Sequence, residues 1–370
     1  MHILLDYRPA LRQRTGAGEY AHNLAVALRG CLRPDDALTL FSSSWKDRLP
    51  AGILPGASQI DARVPVRVLN AAWHRLEWPP VELFAGSIDV VQSMHPLMVP
   101  SRNAVQFITI HDLYFLDHRE HTAAEVRRDY AAVAATHARR ADGIVVPTEH
   151  SRRLIESRLE VDPNRIVVCS PGAPDWPPRE EPASPGPILF VGSIEPRKNV
   201  GGLLSAYRQL VDGRPVIPNL ILAGRMVPGN EALLKPVEMP PLNDRVRALG
   251  YVSDADRQRL YREASMLVLP SFDEGFGLPA LEAMTIGLPV IASRRGSLPE
   301  VVGDAALLVE PDDHTGLATA MAAVLSDAGL RARMVETGLR RAAEYAWPAG
   351  ARRLYAAYKV AVDRLGQRGC

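Results

Sequence analysis

The chain has 370 residues, 47% of them hydrophobic and 23% charged, with a net charge of +1. This is the balance of a soluble globular protein long enough for two cores, and it gives no global basic field for nucleic acid. Three distant cysteines, Cys31, Cys169 and Cys370, exclude a disulfide framework or a cysteine metal cage and point to a reducing, cytoplasmic setting.

In chain order, Met1–Asp6 lacks a basic n-region and reads as a first strand, not a signal peptide. No apolar run approaches the ~18 residues needed to span a bilayer. Strands are expected at 3–5, 38–41, 64–68, 90–92, 105–110, 143–146 and 165–168, with helices at 20–28, 123–139 and 151–159. Residues 171–187 then hold seven prolines, which exclude a regular element and predict a stiff connector over 173–187. A second alternating set follows from Ile188 to about Val309, and helices are expected at 316–325, 329–345 and 349–365. Alternating strands and helices imply parallel sheets covered by helices. The fold class is therefore α/β: two Rossmann-like domains, 1–172 and 188–348, facing a central cleft.

The stretch Glu274-Gly-Phe-Gly-Leu-Pro-Ala-Leu-Glu282 carries the clearest chemistry. Met266–Leu269 reads as a buried strand, 271–278 as a loop, and Pro279 suits a first helical position. Gly275, Phe276, Gly277 and Leu278 lead into the helix start, where backbone N–H groups suit an anion. Glu274 and Glu282 flank that turn and can accept hydrogen bonds from vicinal hydroxyls. Either glutamate alone reads as a dipole partner or a solvated loop residue; the pair at this spacing reads as functional. Arg197-Lys198 follow a strand and turn, where a fork and a point charge suit a phosphate anion. Ser193 offers a hydroxyl on the same turn.

This segment resembles the E-x7-E motif of glycosyltransferase family 4, retaining enzymes of the GT-B fold. The resemblance extends in order through Phe190–Val200, Leu220–Gly224, Leu249–Asp254, Pro289–Ser293 and Ser297–Glu300, strongest over 188–312. It implies that Glu282 holds the ribose diol of a nucleotide sugar and Glu274 the hydroxyls of the transferred hexose. It also implies base contacts from Tyr251 and Val252, chiefly through backbone, and a final helix (349–370) that returns to the first domain.

In the first half, Gly16 and Gly18 form a displaced fingerprint, since eight residues separate Tyr7 from Gly16. They are expected in a loop that gives the next helix an N-terminus for a phosphate or acceptor, or in a turn that needs glycine for its backbone angles. The displacement also counts against a nicotinamide oxidoreductase. His111, after 105–110, stands at the carboxyl end of a strand, and the resemblance places it near the donor sugar; His95 is a second acceptor-side candidate. Arg127-Arg128, Arg139-Arg140 and Arg152-Arg153 offer a basic surface for peripheral contact with the inner membrane face.

The expected activity is retaining, metal-independent hexosyl transfer to a saccharide or lipid-linked acceptor in bacterial glycan synthesis. No cofactor is expected beyond the nucleotide sugar. GDP-mannose is the best donor, on a resemblance of the Gly-Ala-Gly-Glu-Tyr turn to polysaccharide mannosyltransferases; UDP-glucose and related sugars are the alternative. A glycoside hydrolase or a non-catalytic glycosyltransferase-like subunit are the rival classes.

Overall fold

A computed structural model describes residues 1–11, 16–117, 124–179, 186–212 and 216–368, without the side chains of 124–130 and 368. Cys370, the side chains of Arg127 and Arg128, Ala123 and residues 180–185 of the Pro-rich stretch lie outside the described residues. Contacts divide the chain into two units, Met1–Gly172 with Ala346–Cys370, and Ala173–Tyr345.

Unit 1 begins with β1 (His2–Asp6), a 3-10 turn (Arg8–Ala10), α1 (Gly16–Cys31), β2 (Ala37–Ser42), β3 (Ser58–Asp61), α2 (Val66–Leu76) and α3 (Glu82–Ala85). It continues with β4 (Val90–Ser93), β5 (Val105–Thr109), α4 (Tyr114–Asp117), α5 (Ala124–Arg140), β6 (Gly143–Val146), α6 (Glu149–Leu159) and β7 (Ile166–Val168). Its seven strands run in the order β3-β2-β1-β4-β5-β6-β7, and every pairing is parallel. The chain order reverses between β1 and β4, which makes their carboxyl ends the switch point of the sheet.

Unit 2 holds β8 (Ile188–Val191), α7 (Val200–Val211), β9 (Leu220–Ala223), β10 (Val246–Gly250), α8 (Asp254–Glu263), β11 (Met266–Leu269) and α9 (Leu278–Thr285). β12 (Val290–Ser293), α10 (Leu298–Val302), β13 (Ala306–Val309), α11 (His314–Ser326) and α12 (Ala328–Ala343) complete it. The parallel sheet runs β10-β9-β8-β11-β12-β13 and reverses between β8 and β11. Its inner strands are covered on both faces, as a helix-covered sheet requires: β8, β11 and β12 are buried throughout. The last helix, α13 (Trp347–Arg368), belongs to unit 1. Ala351, Leu354 and Tyr358 are buried in the same core as Tyr20, Leu24 and Leu28 of α1. The Tyr358 ring meets Phe107 edge-on at 4.7 Å, and its hydroxyl donates to Gln92 Oε1 at 2.7 Å.

Four expectations are corrected. Residues 64–68 are not a strand: α2 starts at Val66, because Pro65 removes a ladder donor while Leu69 and Trp73, one turn apart, are both buried. The strand of that region is β3, half-buried at the sheet edge. α1 begins at Gly16, so Gly16 and Gly18 lie in a helical first turn and not in a loop. Gly18 is required there by close approach, since a Cβ would stand 2.7 Å from the Pro9 carbonyl oxygen. Residues 173–179 form no regular element, as expected, but belong to unit 2 and do not stand apart as a connector. Ala173 N–H donates to Tyr345 O, and Arg179 donates to Ala264 O at 2.7 Å and Gly287 O at 3.2 Å. The last helix, expected from 349, starts at Trp347, so Pro348 falls inside its first turn, where proline is tolerated.

The C-terminal helix closes unit 1, so Tyr358→Ala is expected to cost about 3–5 kcal/mol in urea unfolding, against about 1 kcal/mol for Tyr358→Phe. Equal losses would show that the hydroxyl, not the ring, carries the contact.

Candidate active site

The switch point of unit 2 is where its charged groups converge. After β8 the chain makes a 3-10 turn, Pro196–Lys198, and Asn199 follows in the left-handed region at φ 54°. Asparagine tolerates that conformation, and its side chain caps α7 by accepting from Gly202 N–H at 3.1 Å. The same amide donates to Pro270 O and Pro311 O at 3.1 and 2.8 Å, tying the turn to the loops after β11 and β13. Phe272 N–H returns a bond to Arg197 O at 2.8 Å.

These ties bring Lys198 to Glu274 across the switch point. Lys198 Nζ lies 2.5 Å from Glu274 Oε1, and both side chains are nearly buried. Ser271 Oγ donates to the same oxygen at 2.9 Å. Arg197 Nη1 stands 3.7 Å from Glu274 Oε2 and 3.2 Å from Asp273 O, and its Nη2 pairs with Glu195. Ser297 fixes the backbone by donating to Glu274 O at 2.7 Å. Burial alone would raise the Glu274 pKa, but the charges of Lys198 and then Arg197 outweigh it and hold the carboxyl below the usual range.

Glu282 is grouped separately, one face of α9 further on. Tyr261 O–H donates to Glu282 Oε2 at 2.7 Å, and Arg257 Nη2 lies 3.4 Å from Oε1. Trp176 stands behind both, its ring 5.9 Å from Tyr261 and 5.8 Å from the Arg257 guanidinium carbon. Gly277 caps α9 at φ +96°, a conformation that favours glycine. The helix starts at Leu278 with Pro279 second, one residue ahead of the expected start.

Other expected ligand groups are placed differently. The Phe276 ring is buried and meets Tyr345 edge-on at 5.5 Å, so its side chain serves the core of unit 2. Leu278 packs against the same core. Ser193 Oγ donates to Glu195 Oε1 at 2.8 Å. Tyr251 is exposed and Val252 half-buried. Gly275 sits between Glu274 and Phe276 on the same loop.

In unit 1, His111 follows β5, one strand from the switch point. Its ring packs edge-on against Tyr20 at 5.0 Å, and Nε2 is buried without a hydrogen-bond partner. Burial pushes its pKa below the ordinary histidine value, which favours the neutral ring. His95 lies at the switch point itself, with Nε2 3.2 Å from the fully buried Asp6. Leu97 N–H donates to His95 Nδ1 at 3.2 Å. Arg8 grips Asp6 through Nε and Nη2 at 2.7 and 2.6 Å, bonds Asn70, and lies over Trp73. Of the arginines of the expected basic surface, Arg140 forms a two-point pair with Glu77, and Arg152 pairs with Glu149. Among the described residues, no helix is long and apolar enough to cross a membrane.

Glu195, Asn199, Ser271, Ser297, Tyr261, Arg257 and Trp176 were not anticipated from sequence. Asn199 and Ser297 carried a local signal, as cap residues ahead of helices. Tyr261 lies 21 residues from Glu282, and nothing in the local pattern joins them.

Residues 177–341 match the family described as glycosyl transferases group 1. The chain is 42% identical over 176 residues to an O-antigen chain mannosyltransferase B of Escherichia coli, spanning 47% of this chain and 46% of that protein. It is 31% identical over 279 residues to a D-inositol 3-phosphate glycosyltransferase of Corynebacterium glutamicum, spanning 67% of each. A sucrose-phosphate synthase structure from Thermosynechococcus elongatus superposes with a TM-score of 0.74 at 20% identity, over 97% of this chain and 98% of that one. That likeness establishes a shared GT-B fold. The chain belongs to the group 1 glycosyltransferases.

Lys198→Met leaves the Glu274 carboxylate buried without its nearest cation and is expected to lower stability at pH 7 by about 3–5 kcal/mol. In the parent, the depressed Glu274 pKa contributes stability that is present above the unfolded carboxylate value, ~4.3, and lost as pH falls through the folded one. In the variant burial dominates, so protonation relieves the stranded charge and the deficit narrows between pH 7 and pH 5. Urea unfolding at both pH values checks this; an unchanged deficit contradicts it.

Proposed function

We propose that this chain is a retaining, metal-independent hexosyltransferase of glycosyltransferase family 4. Unit 2 takes a nucleotide diphosphate hexose as co-substrate, and no other cofactor takes part. The observation that carries the reading is the nearly buried Lys198–Glu274 contact at the switch point, with Arg197 beside it. A buried ion pair adds little net stability, so its position is better explained by work on a ligand. A nucleotide sugar presents both demands at one point: a hexose with hydroxyls for Glu274, and a diphosphate for the cations.

In this reading Glu282 accepts the ribose diol, and Tyr251 and Val252 cover the base through backbone groups. Arg197, Lys198 and the backbone N–H groups around Gly275–Gly277 stabilise negative charge as the glycosyl bond breaks. The leaving phosphate takes the acceptor's proton, so no protein nucleophile is needed. His111, whose buried Nε2 lacks a hydrogen-bond partner, is assigned a hydrogen bond to a sugar hydroxyl and is not assigned as a general base. The name of the 42% identical relative supports mannose as the hexose and a bacterial glycan as the acceptor. GDP-mannose is therefore the proposed donor, with a saccharide or lipid-linked saccharide as acceptor.

Incubation with a panel of nucleotide sugars tests the assignment. GDP release from GDP-mannose, dependent on a saccharide acceptor, is expected, with the anomeric configuration of the product retained by NMR. UDP release from UDP-glucose would move the donor, and hydrolysis of a glycoside without nucleotide would replace the class. Glu274→Gln is expected to lower kcat by about 10²-fold or more, as for loss of one transition-state contact.

A further inference from the structure

The carboxylate of Glu282 is held from two sides before any ligand is considered. Tyr261 is fully buried on α8, and its O–H donates to Oε2 at 2.7 Å. Arg257, one helical turn earlier on α8, approaches Oε1 at 3.4 Å and also reaches Asp254 at 3.5 Å. Trp176 backs both side chains from the stretch that leads into unit 2. Contacts at opposite oxygens fix the rotation of a carboxylate plane, which a single contact leaves loose. A carboxylate has about four acceptor sites, so anchoring at two points is compatible with accepting a diol as well.

Burial and the Glu282 charge push the Tyr261 pKa well above its ordinary value, so the phenol stays a donor at any working pH. A phenol pointing at a carboxylate in the core need not serve stability alone, because a phenylalanine would fill the same volume without a polar atom. Among the described residues, the partner of that hydroxyl is Glu282.

We propose that Tyr261 and Arg257 are positioning residues that lock Glu282 into a two-point acceptor for the vicinal diol of the donor's ribose, with Trp176 as their backstop. Together they set discrimination for ribose over 2′-deoxyribose. This rests on the reading of Glu282 given above, and it adds which groups make that residue selective.

Calorimetry with the full chain tests it, using GDP, dGDP, UDP and dUDP as probes. The parent chain is expected to bind the ribonucleotide of its preferred base about tenfold or more tightly than the 2′-deoxy form, as for a hydrogen bond to a charged group. Tyr261→Phe is expected to shrink that gap at least threefold, by weakening the ribonucleotide while leaving the deoxynucleotide nearly unchanged. A merely structural tyrosine would weaken both equally, and that result overturns the inference. Arg257→Gln supplies a second variant read the same way, should Tyr261→Phe fail to fold. If the parent does not discriminate between the two sugars, the ribose role of Glu282 falls and this inference with it. If the parent discriminates and both variants keep the full gap, only the positioning role is lost.

Discussion

The contact between Lys198 and Glu274 is the constraint on which the arrangement of unit 2 turns. The two residues are 76 positions apart, and they meet because β8 and β11 are neighbours at the reversal of strand order. Neither charge would be tolerated so far from water without the other. The surrounding bonds all serve that meeting. Asn199 ties the basic turn to two other loops, Ser297 clamps the Glu274 backbone, and Ser271 orients its carboxylate.

A second acidic group, Glu282, is prepared by a different device. Where Glu274 is balanced by cations on the neighbouring turn, Glu282 is steered chiefly by a buried phenol and an arginine of α8. The two glutamates of one motif thus sit in different electrostatic surroundings. That difference suits the different tasks proposed for them, one beside developing charge and the other at a neutral sugar ring. Unit 1 also gathers polar groups at its switch point, where Arg8 and the half-buried His95 meet the fully buried Asp6.

Much of this was legible along the chain. β8, β9 and β11 announce themselves as short apolar runs followed by glycine or proline, because a strand covered on both faces has no polar side. The glutamate pair and the Arg-Lys dipeptide could be read as one site because each follows a strand end. The misread elements share a cause: local patterns gave way to tertiary contacts. Residues 64–68 alternate like a strand, yet Leu69 and Trp73 bury a helical face. Gly18 looked like a loop glycine, yet the backbone of Pro9 needs its missing side chain within a helix.

By itself, the order of apolar runs and turn residues determined two α/β halves and the identity of the charged groups at the ends of their strands, because periodicity and glycine placement are local properties. Only the tertiary structure decided which of those groups touch. Strand neighbours in a parallel sheet are joined by crossovers, and their contacts are set by sheet order, not by distance along the chain. That is why Tyr261, Arg257 and Trp176 emerged as the company of Glu282 only when α8, α9 and the residues ahead of β8 were seen packed together.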